Sequence, residues 1–249
     1  MGRSNEYYMS FFPPLTPMMK KLIIVTAGAF VLTYVLGHLG SQSMRLYFWL
    51  YPIAYGGLRP YYVIHHLFLW QPFTYIFLHD GFFHILFNLF ALWMFGSDLE
   101  RLWGGRKFLF YFFLCGVGAA VFDVLVQPSS RIPTIGNSGA IFGILLAFGV
   151  LWPDRPIFLW FVVPVKAKWF VIGIGAIEFL SELGGAQSGI AHLAHLGGML
   201  VGYLYLRGGR LSGRAQSSLD EWRRARLRKK FEAHMRKQEK KKNRDGWVN

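Results

Sequence analysis

Ser138 is the residue of this chain best suited to act as a nucleophile. It stands in Gly136-Asn137-Ser138-Gly139, where a polar loop runs into an apolar stretch. The first amides of a helix lack intrahelical partners and lie at the positive end of its dipole, so a helix beginning here could hold an oxyanion. Ser138 could then attack a carbonyl whose developing charge its own backbone N–H stabilises. An N-cap serine, or a small residue for helix packing, fits the same pattern.

Two histidines further along the chain are candidate general bases for Ser138. Gly198 and Gly202 follow His195 at i+3 and i+7, so they lie on its helix face. Glycines on facing helices let backbones approach closely, which brings an imidazole within reach of a hydroxyl. His192 is the competing base, but three residues after it stands His195, whose ring would crowd the facing helix. We favour His195, although a structural hydrogen bond between helices fits the same spacing.

His84 and Asn88 form a further candidate pair, because their i, i+4 spacing places them on one face of a helix. Both side chains can donate hydrogen bonds, and neither carries an obligatory charge. These properties suit an oxyanion hole that supplements the backbone amide of Ser138. Hydrogen bonding between membrane helices is the structural alternative for the same two residues.

Acidic residues offer no obvious third member of a catalytic group. The last apolar segment contains no Asp or Glu, and the sequence assigns no partner to Asp123 or Glu178, which lie in the third and fifth segments. A Ser–His dyad is therefore the simpler hypothesis. No His-Glu-x-x-His stretch supports a metalloprotease, and we expect no metal or cofactor. A proton-coupled transporter that uses the buried histidines and carboxylates is a weaker alternative.

Composition separates an apolar body from a basic tail. Hydrophobic residues make up 53% of the chain and charged residues 16%, where soluble domains carry about 25%. From Gly208 onward, fourteen basic and five acidic residues leave a net charge of +9. We expect this tail to lie on anionic headgroups, at about 1 kcal/mol per basic residue near the surface, and expect no nucleic-acid binding. The predicted divisions are an N-terminal segment (1–19), a six-span domain (20–207) and a basic cytoplasmic tail (208–249).

Six apolar segments are long enough, or nearly so, to cross about 30 Å of hydrocarbon as helices. They predict an all-α membrane protein built as a six-transmembrane-helix bundle. The second, fourth and fifth are short, so their ends are expected below the membrane surface, and the fifth could begin as early as Phe158. The segments are Leu22–Leu39, His84–Leu99, Phe108–Val126, Ser138–Trp152, Trp169–Leu180 and Ile190–Leu206.

The distribution of Lys and Arg predicts the orientation, because these residues favour the cytoplasmic side. They precede the first segment and follow the second, fourth and sixth, whereas the alternate loops hold few. Both termini are therefore expected in the cytoplasm, which places Ser138 toward the outer side. Residues 1–21 show no cleavable signal pattern, so we expect the first span to drive insertion. The basic residues of the cytoplasmic side before the tail are Lys20, Lys21, Arg101, Arg106, Lys107, Arg155, Lys166 and Lys168.

Taken together, these residues resemble the rhomboid intramembrane serine proteases. That family has a G-x-S-G nucleophile, a histidine in H-x-x-G-x-x-x-G two spans later, and an H-x-x-x-N pair on the second span. His195 fits the histidine pattern and His192 does not, and Glu100 with Gly104 resembles the turn after the family's second span. The resemblance covers about residues 20–207. The three patterns are Gly136-Asn137-Ser138-Gly139, His195 with Gly198 and Gly202, and His84 with Asn88.

Two positions depart from the family's pattern. Trp70-Gln71 stands where members often have Trp-Arg, which removes a charge that could orient the first outer loop. Some members stack a tyrosine, four residues after the nucleophile, on the catalytic histidine; Phe142 keeps the ring and loses the hydroxyl. Neither departure removes a catalytic group, so the resemblance implies an active enzyme. The residues expected to pack against the catalytic site are Gly139, Phe142, Gly143, Gly198 and Gly202.

The resemblance implies an intramembrane serine endopeptidase that cleaves transmembrane protein substrates near the outer leaflet. Ser138 would be the nucleophile, His195 the base, and His84 with Asn88 the oxyanion donors. A bacterial inner membrane is the expected location of this multi-pass protein. The alternative from another class is a catalytically silent, rhomboid-like protein that binds membrane clients, and intact Ser138 and His195 argue against it.

Overall fold

The computed structural model describes residues 13–35, 38, 41–45, 52–159, 162–184 and 191–209. The N-terminal segment before residue 13, and the basic tail from residue 210 with its expected lipid contacts, lie outside these residues. By internal contacts the chain divides into two units, Met1–Tyr203 and Leu204–Asn249. Of the second unit the structure describes residues 204–209, which are helical.

The described residues are mostly helical. Short π-helical turns cover Val31–Val35 and Pro52–Gly56, and a 3-10 turn covers Tyr75–Phe77. The helices are α1 (Pro17–Phe30), α2 (Gln42–Arg45), α3 (Pro60–His65), α4 (Gln71–Thr74), α5 (Phe82–Trp103), α6 (Gly105–Val126), α7 (Ser138–Leu151), α8 (Ala167–Leu183) and α9 (192–209).

A helix lies at the place of each of the six predicted spans. Within the part of the chain that the structure describes, three helical stretches are long and apolar enough to cross a membrane, namely Pro17–Tyr34, Phe82–Trp103 and Gly105–Val126. The apolar helix Ser138–Leu151 is shorter, as the sequence predicts. The mostly helical architecture is thus confirmed, while the count of six spans and the position of the termini stay predictions. Residues 36, 37 and 39 of the first predicted span and residue 190 of the sixth lie outside the described residues.

Two predicted boundaries were wrong. The second span is not short, because α5 has 22 residues and extends beyond His84–Leu99 at both ends. The fifth span does not begin near Phe158, because Pro156–Leu159 and Val163–Lys166 form an antiparallel pair of strands, β1 and β2. Proline removes a backbone donor and disfavours a helix interior, whereas Val, Ile and Phe suit strands. The helix α8 therefore begins only at Ala167.

Glu100 joins the end of α5 to the start of α1. Its carboxylate accepts hydrogen bonds from the backbone amides of Met18 and Met19, both at 2.9 Å, and from the Thr16 hydroxyl. These amides lie in the first turn of α1, where helical donors have no intrahelical partner. Gly104, with φ of +79°, then turns the chain directly from α5 into α6. The Glu100 carboxylate and the turn at Gly104 thus connect the ends of α1, α5 and α6.

The helix α7 is the centre of the helical packing. Ten of its 14 residues are buried, which is the property of a helix surrounded by protein on most sides. A Cβ on Gly139 would lie 2.7 Å from the Ala119 methyl of α6, and one on Gly149 would lie 2.8 Å from Val171 of α8. Close approach of α6 and α8 therefore depends on glycine in α7.

The first long loop is attached to the segment that precedes Ser138. Leu58 and Thr134 exchange two backbone hydrogen bonds of 2.9 and 2.8 Å, and the amide of Tyr61 donates to the Ser130 carbonyl at 3.0 Å. The guanidinium of Arg131 lies 4.1 Å from the centre of the Tyr61 ring. These contacts hold the polar segment before α7 against a folded loop, which limits how far it can move.

Candidate active site

Ser138 is the first residue of α7. The preceding turn depends on Gly136, whose φ of +108° is a conformation that glycine adopts readily. The Gly136 amide donates to the Tyr75 carbonyl at 2.9 Å, which fixes the turn to the first loop. Asn137 occupies the N-cap position, and its side chain makes no capping bond. Ser138 is therefore not the N-cap residue, which removes the simplest structural explanation for a serine here.

The hydroxyl of Ser138 lies next to the imidazole of His195. Its Oγ is 2.7 Å from His195 Nε2, across two helices. His195 is 7% exposed, whereas Ser138 is half-buried. The Phe142 ring stacks on the imidazole with centroids 4.1 Å apart and planes inclined by 6°. The serine thus faces an oriented imidazole and is itself only half-buried.

The glycines of α7 and α9 make this contact possible. A Cβ on Gly198 would overlap the backbone carbonyl of Gly139, and a Cβ on Gly143 would lie 3.1 Å from the Gly198 carbonyl. A Cβ on Gly202 would overlap the Tyr111 hydroxyl, which itself donates to the Gly143 carbonyl at 2.8 Å. The two backbones are therefore in contact, and the structure brings together the four glycines that the spacing selected.

His84 and Asn88 face the turn before Ser138. A Cβ on Gly136 would lie 2.7 Å from His84 Nε2 and 3.5 Å from Asn88 Nδ2. Asn88 is buried, and its Nδ2 has no hydrogen-bond partner among the described residues. An unpaired buried donor is rare and often marks a functional site. The group is well placed to donate to an oxygen that enters beside the turn.

Asp80 holds the other nitrogen of His84. Its Oδ1 lies 2.6 Å from His84 Nδ1, and this hydrogen bond lowers the pKa of Asp80 below its ordinary value. A neutral His84 that donates from Nδ1 exposes a lone pair at Nε2, whereas an imidazolium donates from both nitrogens. Sequence reasoning missed Asp80, although its i, i−4 spacing from His84 was a usable signal.

His79 and Asn137 add further unpaired polar groups near the same turn. Neither ring nitrogen of His79 and neither amide atom of Asn137 makes a well-aligned hydrogen bond among the described residues, although Asn137 and the Phe77 backbone lie close enough to His79 to act on its ring. Burial lowers the pKa of His79 to about 4, so the ring is neutral at pH 7. The His79 ring meets the His84 ring edge-on at 4.9 Å. Sequence reasoning missed both residues, because nothing in the local pattern showed that they are buried.

Glu178 lies against both candidate bases. Its Oε2 is 2.6 Å from His192 Nδ1 and 3.0 Å from His195 Nδ1. The sequence drew attention to Glu178 as an acidic residue in an apolar segment but assigned it no partner. It is His195, and not His192, whose nitrogen lies beside the Ser138 hydroxyl.

Glu178, His192 and His195 are also the one group among the described residues whose side chains could together hold a metal ion. Ligands bound at 2.0–2.2 Å around a tetrahedral zinc lie about 3.3 Å apart. The distances of 2.6 and 3.0 Å from Glu178 to the two imidazoles are shorter and match direct hydrogen bonds or ion pairs. The geometry therefore favours direct pairing over a shared metal ion.

Asp123, the other acidic residue inside an apolar segment, contacts a different part of the protein from Glu178. Its carboxylate accepts a hydrogen bond of 3.2 Å from the Thr134 hydroxyl, in the segment before Ser138. Glu178 instead contacts histidines of α9. The two carboxylates thus have separate partners, which gives no support to a common proton pathway.

Comparison with known proteins assigns the chain to a family. The sequence model of the Rhomboid domain family matches residues 67–210, more than half of the 249 residues. The chain belongs to the rhomboid family. Together with the apolar helices, this makes it a multi-pass membrane protein.

Several curated relatives are similar over about half of the chain. The mitochondrial Rhomboid protein 1 of Saccharomyces cerevisiae is 32% identical over 140 residues, covering 52% of this chain and 38% of the relative. Rhomboid protease GluP of Bacillus subtilis is 33% identical over 135 residues, covering 54% and 25%. Rhomboid protease AarA of Providencia stuartii is 30% identical over 148 residues, covering 51% of each chain. The match therefore spans about a quarter to a half of these relatives.

The Gln71 side chain, which departs from the rhomboid pattern, makes hydrogen bonds to the first loop. Gln71 is fully buried; its Oε1 accepts from the Arg59 amide at 2.9 Å, and its Nε2 donates to the Tyr55 carbonyl at 3.3 Å. Trp70 Nε1 donates to the same carbonyl at 2.8 Å. In this rhomboid, a neutral amide thus orients the first loop through its backbone, where the expected pattern would use a charge.

Proposed function

We propose that the chain is an intramembrane serine endopeptidase that uses Ser138 and His195 as a dyad. The observation that carries the proposal is the 2.7 Å contact between Ser138 Oγ and His195 Nε2 at the start of α7. Relatives named as rhomboid proteases give it further support. An N-terminal serine of a buried helix, paired with a stacked imidazole, is an arrangement suited to acyl transfer.

In the proposed reaction, Ser138 Oγ attacks the carbonyl carbon of a peptide bond while His195 Nε2 accepts the hydroxyl proton. The Ser138 amide, His84 and Asn88 donate to the resulting oxyanion. His195 then gives its proton to the leaving amine, and the peptide C–N bond breaks. Water, deprotonated by the same histidine, hydrolyses the acyl-enzyme and releases Ser138.

The proposed substrates are transmembrane proteins, cleaved near the outer leaflet. At about 1.5 Å per residue, the 14 residues of α7 extend about 21 Å, less than the roughly 30 Å of hydrocarbon. Ser138 would then lie below the outer surface, where water must enter. A substrate helix must also unwind there, so Gly, Ser or Pro near the cleaved bond is expected.

The proposed topology has six spans with both termini in the cytoplasm. An ion pair of 2.6 Å between Arg155 and Asp98 supports it, because it joins the segment after α7 to the last turns of α5. Both places carry the basic residues that favour the cytoplasmic side. Ser138 lies at the opposite end of α7. The division at residues 20 and 207, the bacterial inner membrane and the contact of the tail with anionic lipid are parts of the same proposal.

Activity-based labelling tests the proposal. Purified protein in detergent is treated with a fluorophosphonate and digested, and the modified residue is found by mass spectrometry. We expect the wild type to be labelled at Ser138, Ser138→Ala to be unlabelled, and Ser129→Ala, in an exposed turn, to be labelled like the wild type. Absence of label on the wild type, or equal labelling of Ser138→Ala, would contradict a serine protease and favour the silent client-binding alternative.

A further inference from the structure

Glu178 is a buried acidic residue in an otherwise apolar part of α8. It is 8% exposed and lies between the two histidines of α9. A carboxylate is costly to bury unless partners compensate for the lost water. One oxygen, Oε2, makes both contacts, at 2.6 Å to His192 and 3.0 Å to His195. The position of Glu178 is therefore decided by the two imidazoles.

We propose that Glu178 is a positioning residue for the general base, so that Ser138, His195 and Glu178 act as a serine–histidine–carboxylate triad. The inference rests on the proposed protease function and deepens it. The Glu178 carboxylate, 3.0 Å from His195 Nδ1, favours the tautomer with its proton on Nδ1, and this tautomer leaves the lone pair of Nε2 facing the Ser138 hydroxyl. The opposite tautomer presents an N–H to Ser138 and cannot accept its proton.

His192 holds Glu178 in place from the other side. The His192–Glu178 contact satisfies hydrogen-bond geometry at 2.6 Å. The His195 contact has a suitable distance of 3.0 Å, but its direction falls outside hydrogen-bond alignment. Catalytic hydrogen bonds are often poorly aligned before substrate binds and tighten later. As His195 becomes an imidazolium, its attraction to the shared carboxylate increases, and the contact is expected to align.

The other surroundings of His195 do not select its tautomer. Phe142 covers the flat face of the ring, and the glycines of α9 set only the backbone distance. Among the described residues, Glu178 is the titratable group that contacts Nδ1. The role of His192 is then to support the carboxylate, which explains why two histidines stand one turn apart while one of them reaches Ser138.

The test compares Glu178→Gln and Glu178→Asp with the wild type, with Glu182→Gln as the matched control. Glu182 stands one turn later on α8 and contacts Gln127 at 3.3 Å. Using the full chain in detergent and a transmembrane peptide substrate, we expect Glu178→Gln to lower kcat by about 10²–10⁴-fold and to change KM less than about twofold. Glu178→Asp should lie between, and Glu182→Gln should match the wild type.

The pH profile separates positioning from structure. The acidic limb of the kcat/KM profile reports the base of the free enzyme, so removal of a carboxylate that acts through this base should displace the limb toward lower pH, whereas a purely structural loss should lower the profile without displacing it. Nitrogen-15 histidine spectra of the wild type add a readout that needs no variant. They should show His195 protonated at Nδ1 and unprotonated at Nε2 above the acidic limb.

Three results would overturn the inference. The first is a His195 that is protonated at Nε2. The second is a Glu178→Gln variant whose acidic limb in the kcat/KM profile does not move, whatever its kcat or thermal stability. The third is loss of wild-type activity in a chelator, which would make Glu178, His192 and His195 a metal site. In each case fluorophosphonate labelling of wild-type Ser138 still tests the protease proposal by itself. Failure of that labelling would instead reject the proposed function.

Discussion

A carboxylate–histidine pair at the rim of the candidate site and one in its interior differ in their surroundings. The rim pair, Asp80 and His84, has side chains 62% and 30% exposed, and the buried pair, Glu178 and His195, has side chains 11% and 9% exposed. Exposed pairs are worth about 0–1 kcal/mol, whereas breaking a buried pair costs about 3–5 kcal/mol. A carboxylate and an imidazole therefore form a weak contact at the rim, which can rearrange at little cost, and a strong contact in the interior, which cannot.

The pairs also differ in how the chain assembles them. Asp80 and His84 are four residues apart, so local geometry nearly suffices to bring them together. Glu178 and His195 lie on different helices, α8 and α9, and meet only when both pack beside α7. Substitutions in the buried pair should therefore change activity and stability more than substitutions in the rim pair.

The largest effect is expected at the base. His195→Ala should reduce kcat/KM by at least about 10³-fold, because no other group accepts the Ser138 proton in the proposed reaction. His192→Ala should retain most of the activity and lose some through Glu178. Cleavage of a transmembrane peptide measures both. Retained activity in the first variant with loss in the second would reverse the assignment of the base.

Asn88→Ala should lower kcat by about 10²–10³-fold, the effect typical of losing one oxyanion donor. Ser97→Ala is the matched control, since Ser97 is also a buried and unpaired polar residue of α5. It should leave kcat unchanged. Equal behaviour of the two variants would mean that the donors near the rim pair serve packing only. Single-turnover labelling with a fluorophosphonate separates chemistry from substrate binding.

Gly198→Ala should test how far the buried pair depends on helix packing. The added methyl meets the Gly139 backbone, which cannot move as a flexible side chain can, so a loss of stability of about 1–3 kcal/mol is expected. Labelling of Ser138 should fall as α9 moves away. Gly173→Ala, on α8 with open space at its Cβ, is the control and should keep both stability and labelling. Thermal unfolding in detergent measures the difference.

Asp80→Asn should have the smallest effect. The pKa of Asp80 is lowered in the folded protein, so its stabilising contribution is present above the ordinary carboxyl pKa and is lost as pH falls through the folded value. Because the pair is largely exposed, the expected change in stability is below about 1 kcal/mol. Stability curves of wild type and variant should converge at low pH. A large loss of stability that does not depend on pH would contradict the weak interaction expected for an exposed pair.

Sequence reasoning selected candidate residues that a local pattern marks. Ser138, His195, His84 and Asn88 were selected by type and spacing, and the glycines of α7 and α9 by their periodicity. It missed Asp80, His79 and Asn137, and it left Glu178 without a partner. The spacing of Asp80 from His84 was available in the sequence, but burial and cross-helix distance decide the surroundings of His79, Asn137 and Glu178, and neither is encoded by a short stretch. The strands before α8 were missed because an apolar run of that length fits either a helix or a strand.

By itself, the sequence determined that the chain is mostly helical and apolar, that Ser138 begins an apolar helix, and which histidine has glycines on its face. Periodicity and composition are sufficient for this, because helix propensity and the free energy of transferring a side chain out of water are properties of single residues. Only the tertiary structure decided that Glu178 meets His195 and that Gly198 meets the Gly139 carbonyl. Such contacts depend on where several helices pack at once, so pairing a buried carboxylate with a base is a property of the assembled interior.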